Sequence, residues 1–124
     1  MDITITSKTE RDYFLIESKG VLKSKEDLCE HAEIIYKEIS DHGAKKILIY
    51  EPETQFPLGL FTYFDVVHFY LDSLPFEIRF LKIAIVIAKE YKEIADFWET
   101  VCVNRGLKYY AFTSFQEAHN WLIN

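Results

Sequence analysis

Basic residues are the first shortage. Lys and Arg number 14 against 20 Asp and Glu, which leaves a net charge of −6, and Lys45-Lys46 is the only adjacent basic pair. Phosphate neutralisation needs clustered cations, so nucleic acid is not an expected partner. Cysteine is scarcer still. Cys29 and Cys102 fall in separate predicted helices with no neighbour at metal-ligand spacing. They read as free thiols behaving like small hydrophobes, and a reducing, cytoplasmic location is the expectation. Long apolar runs are absent too: the longest, Ile83–Ala88, is far too short to span a bilayer. The opening Met-Asp-Ile-Thr has neither a basic head nor an apolar segment, so no signal peptide is predicted. No linker, repeat or low-complexity stretch divides the chain, and residues 1–124 are expected to form a single domain.

What is present is an ordinary globular composition, 49% apolar and 27% charged, with aromatics at 16% concentrated in the second half. Ile3 and Ile5 alternate with Thr4 and Thr6, the period of a half-exposed strand, and Tyr13–Ser18 is a second strand ended by Gly20. The two are expected to pair as an antiparallel hairpin. Ser24-Lys-Glu-Asp27 has the form of a capping box. It opens a helix with Leu28, Ala32, Ile35 and Ile39 on one stripe and Gly43 just beyond its end. Further along, Arg79–Ile87 is a central strand, Tyr91–Asn104 a helix, Leu107–Phe112 a last strand, and Ser114-Phe-Gln-Glu117 a second capping box before a short final helix. Trp98 and Trp121 read as core. Strands separated by single helices imply parallel pairing through right-handed crossovers.

The chain is organised around residues 45–71. Ile47-Leu48-Ile49-Tyr50 is a buried strand, Glu51–Pro57 reads as an extended loop held by two prolines, and 58–71 reads as a helix made largely of aromatic residues. In open α/β sheets sites form where strands end at the carboxyl edge, which puts any site at this junction. The helix carries more apolar surface than one sheet face can cover, so a neighbouring helix, a partner chain or a ligand must cover the rest. Asp65, His68 and Asp72 lie along the same helix, but three consecutive turns spread them too far for one metal ion. Glu51 and Glu53 beside Thr54 have no His or Cys close in sequence with which to form a triad.

The last third carries a resemblance. Lys82-Ile-Ala-Ile-Val86, Phe97-Trp98-Glu99 and Phe112-Thr-Ser-Phe-Gln-Glu-Ala-His-Asn-Trp-Leu122 together resemble the STAS domains, in their SpoIIAA-like branch. The resemblance implies an α/β fold, a mostly parallel sheet wound by successive β-α units with an N-terminal antiparallel strand. It also implies a domain that binds protein partners, with some relatives binding nucleotides or lipids. Anti-sigma-factor antagonists of this family switch by phosphorylation of a serine in a motif like Asp-Ser-x-Gly-Leu. Here Phe56-Pro57-Leu58-Gly59-Leu60 puts proline at the serine position, and Thr54 lies upstream, out of register. No phosphoswitch is expected.

The leading expectation is therefore a non-enzymatic STAS/SpoIIAA-like interaction module that binds a protein partner, including a second copy of itself, through the 58–71 helix. The alternative is a small apolar-ligand or lipid-binding domain, and a weaker alternative is an enzyme with a site at the strand carboxyl edge. Neither cofactor, metal nor catalytic residue is expected. The candidate ligand- or partner-binding residues before and at the helix start are Glu51, Thr54, Gln55, Phe56 and Gly59. Phe61, Tyr63 and Phe64 on the helix complete the set, with Lys89 and Tyr91 after the following strand.

Overall fold

The computed structural model describes residues 2–59, 62, 65–66 and 76–124. Its frame is a five-stranded sheet in sequential order, with β1 (Asp2–Thr9), β2 (Phe14–Val21), β3 (Lys46–Gln55), β4 (Lys82–Ile87) and β5 (Lys108–Phe112). β1 is antiparallel to β2, and every later pairing is parallel. The described α-helices are α1 (Lys25–His42), α2 (Lys92–Asn104) and α3 (Phe115–Ile123), with short 3-10 turns at Phe76–Phe80 and Lys89–Tyr91. Thr62, Asp65 and Val66 are also helical.

Strand order fixes the layering. When each strand is laid beside the last, right-handed crossovers put the connections of β2 to β5 on one face of the sheet. The cores agree: Ile35 and Ile39 of α1 meet Phe14, Ile16, Ile47, Ile49 and Ile83, and Ala95 of α2 meets Ile87 and Ala111. Val66 is buried on the same side, clustered with Leu28, Ile94 and Trp98, and so flanked by both helices. The opposite face, with Leu15, Leu48, Ala84 and Val86, packs against Ala118 and Leu122 of α3.

The capping chemistry is as the sequence spells it. Ser24 Oγ accepts from the Asp27 amide at 3.1 Å, and the Asp27 carboxylate accepts from the Lys23 amide at 3.0 Å, one residue earlier than in the reciprocal box. Gly43 takes φ 76° and donates to the Ile39 carbonyl, closing α1. Ser114 caps α3 in the same manner as Ser24 caps α1.

Several expectations are corrected. The 51–57 segment is not all loop, because β3 runs on to Gln55. β4 stops pairing with β3 at Glu51, while β2 accompanies it to Gln55 with a register shift between Glu17 and Lys19. Pro52 falls inside that irregularity and beyond the last residue of β3 that pairs with β4, and at such a bulge proline is tolerated. Gly20 does not end β2 but pairs with Ile3 inside the ladder. Residues 76–80 form a 3-10 turn, so β4 begins at Lys82 and not at Arg79. The final helix is anchored by Ala118 and Leu122. Trp121 is only half-buried, lying over Tyr110, Phe112 and the Lys82 ammonium, and Trp98 is likewise half-buried.

Gly20 has φ 142°, and a Cβ there would meet the Asp2 carbonyl oxygen at 2.2 Å. Gly20→Ala is therefore expected to cost at least about 2 kcal/mol by strain and displacement of β1. Leu122→Ala should cost about 2–5 kcal/mol, and Trp121→Ala less. Urea titration of the three variants checks both the size and the order.

Candidate functional site

Three polar side chains occupy positions that the patterning reserves for apolar ones. Phe14, Ile16 and Ser18 alternate inward along β2, and Ile47, Ile49 and Glu51 do so along β3. His31 lies on the α1 stripe between Leu28 and Ile35. The extra β3 residue at the irregularity then rephases the strand, so that Thr54 is buried and Glu53 exposed. Ser18, His31, Glu51 and Thr54 are 3%, 7%, 2% and 1% exposed, at the carboxyl end of the strands. Such burial is costly unless each group finds a partner.

Proton counting shows which group does not. The Thr54 hydroxyl donates to the Ser18 carbonyl at 2.8 Å. Having one proton, it can then only accept from Ser18 Oγ, 3.0 Å away. Ser18 Oγ in turn has spent its proton and accepts from His31 Nε2 at 3.0 Å. The chain thus runs from the His31 Nε2 proton through Ser18 and Thr54 to a backbone carbonyl. Glu51 Oε1 lies 3.2 Å from the same nitrogen, but the proton is directed at Ser18, and among the described residues this carboxylate oxygen receives no hydrogen bond.

A serine, a histidine and a glutamate in contact invite comparison with a catalytic triad. The geometry is wrong for one. In a triad the acid binds the imidazole nitrogen opposite the one facing serine, whereas here serine and glutamate both face Nε2. Ser18 is also sealed from solvent, with its proton turned toward Thr54. In this arrangement no base faces the Ser18 proton.

Glu51 and His31 form part of the wall of a cavity of about 540 Å³. The cavity lies between α1 and α2 over β3 and β4, and its remaining wall is mostly aliphatic and aromatic, including Ile35, Ile49, Ile83, Ile87, Ile94 and Trp98. Tyr109 and Cys102 line it as well. Burial, reinforced by Cys102, Glu51 and Glu99, pushes the Tyr109 hydroxyl well above its ordinary range. Burial also pushes the Cys102 thiol up to about 12, so neither ionises at neutral pH.

Of the residues expected at the site, Glu51, Phe56 and Tyr91 line this cavity, with the Phe56 and Tyr91 rings edge to face at 5.4 Å. Thr54 belongs to the hydrogen-bonded chain behind it. Gln55, Gly59 and Lys89 are exposed and are not among the cavity's wall residues. Phe61, Tyr63 and Phe64 lie outside the described residues, as do His68 and Asp72, while Asp65 is exposed. Ser18 and His31 were not foreseen. Their signal was available as a polar residue at an inward strand position and another on an apolar helical stripe, but neither pattern says that the two meet.

Comparison with solved structures shows the fold. An anti-sigma factor antagonist from Mycobacterium paratuberculosis superposes with a TM-score of 0.62 at 11% identity, over 98% of this chain and 95% of its own. An uncharacterised protein of the DUF3478 family with a SpoIIAA-like fold, from Shewanella loihica, gives 0.52 at 20% identity, over 98% of this chain and 94% of its own. The chain therefore has the SpoIIAA-like fold that its ending resembles. At these identities the likeness carries no activity across. No protein-family model and no curated protein sequence matches the chain. No described helix is long and apolar enough to cross a membrane.

Ser18→Ala removes the middle link, taking its donor from Thr54 and leaving the His31 Nε2 proton to turn toward Glu51 Oε1, 3.2 Å away. The expected loss is about 1–3 kcal/mol in denaturant titration. Thr54, buried and with its hydroxyl proton engaged, should acquire no phosphate in the unmodified chain when incubated with an anti-sigma-type kinase and ATP, as intact mass would show.

Proposed function

We propose that this chain is a non-enzymatic binding module that holds a small apolar molecule between α1 and α2. The cavity of about 540 Å³ carries the reading. Native interiors seldom leave voids much larger than a water molecule, while ligand pockets fall at about 300–1,000 Å³ with mainly apolar walls and few polar groups. The polar end of the cavity, at Glu51 and Ile87, also lies toward the strand carboxyl edge, where open α/β sheets place their ligands. A neutral apolar dye such as N-phenylnaphthylamine should bind one per chain, with energy transfer from the wall residue Trp98. Ala32 lines the cavity, so Ala32→Phe should abolish that binding while the chain still melts cooperatively. A dye that fails to bind the unmodified chain would sink the reading.

A protein partner is the second reading, and one surface favours it. Phe76 and Phe80 are 64% and 63% exposed, with rings edge to face at 5.6 Å and the Arg79 guanidinium 5.2 Å above Phe76. Exposed aromatics grouped with arginine are common at the centres of interfaces. If a second copy covers this patch, light scattering should show a mass that rises with concentration. Phe80→Asp should reduce it to one chain without lowering the melting temperature, and a single-chain mass throughout would remove self-association through this patch.

A further inference from the structure

We infer that the ligand's polar end is a hydrogen-bond donor, a hydroxyl or an amine, placed against Glu51 Oε1. This rests on the cavity reading and narrows it to a chemical class. Glu51 is a wall residue of the cavity, and its buried Oε1 receives no hydrogen bond from the described residues. His31 Nε2 lies 3.2 Å away but has its proton committed to Ser18, so no described residue answers this acceptor. A hydroxyl or amine entering the cavity would answer it, and hydrogen bonds to charged groups are among the stronger ones. A carboxylate or phosphate head would set acceptor against acceptor, in surroundings where the mismatch is weakly screened. The rest of the wall fixes the orientation. Glu51 lies where β3 stops pairing with β4, beside Ile87 at the carboxyl end of β4, and Ile83 marks the opposite end of the wall along β4. Four residue steps, from Ile83 to Ile87, separate those ends, about 13 Å of path for an unbranched apolar tail.

The test compares three ligands of one tail length on the full chain. 1-Octanol, octylamine and octanoate are titrated calorimetrically, or by displacement of N-phenylnaphthylamine. Octanol or octylamine should bind roughly tenfold tighter than octanoate or better, and the pair separates a hydroxyl-reading from an amine-reading site. Glu51→Gln brings its own donor to the head position and should narrow the gap. Octanoate binding as tightly as both others overturns the inference and leaves the cavity reading standing. A gap unchanged in Glu51→Gln also overturns it, since the head is then read elsewhere. Failure of all three ligands and of the dye removes both. If Glu51→Gln does not fold, the comparison on the unaltered chain decides.

Discussion

The sequential order of the strands constrains everything else in this molecule. A parallel crossover in the opposite direction would have sent one helix to the far side, as in doubly wound sheets with a switch point. Here the sheet grows one way only, so α1, α2 and the buried Val66 crowd onto one face, while α3 packs against the other. The crowded face has the deeper interior, and the cavity lies in it. The carboxyl edges of β2 and β3 bring Ser18 and Glu51 side by side beneath His31.

Burying those groups sets a local problem in electrostatics. A carboxylate, an imidazole and two hydroxyls share a space that the neighbouring positions fill with isoleucine. The hydroxyls and the imidazole solve it among themselves, ending on a backbone carbonyl, and one carboxylate oxygen is left over. Buried polar groups without partners are uncommon in native proteins, and those that occur call for an explanation. Structural stability alone supplies none, because a leucine at residue 51 would meet the apolar wall with no desolvation cost.

The fold shared with an anti-sigma factor antagonist is compatible with protein recognition and equally with small-molecule recognition, since fold and function separate readily. What distinguishes this chain is local chemistry. In the motif that the resemblance implies, Pro57 stands at the serine position, and Thr54, upstream of it, is sealed within a hydrogen-bonded chain. The same strand end offers an acceptor to an apolar cavity. Regulation by covalent charge and occupancy by a ligand make different demands on this edge, and the proposed ligand reading rests on the second.

Local rules were enough for the elements. The serine caps, the glycine after α1, the alternation of Ile3 and Ile5, and the apolar run in β4 all act within a few residues, so periodicity and capping read them from the sequence. The course of β3 through Pro52 was not readable that way, because a proline breaks or spares a strand according to what lies beside it, and only the pairing partners decide that. The site divides along the same line. Glu51, Phe56 and Tyr91 could be chosen because strand ends and aromatics are visible in one dimension. Ser18 and His31 gained their roles only when the β2–β3 register and the packing of α1 set Ser18 Oγ 3.0 Å and Glu51 Oε1 3.2 Å from the same His31 nitrogen. Which hydrogen goes to which acceptor depends on those distances, and no spacing along the chain encodes them.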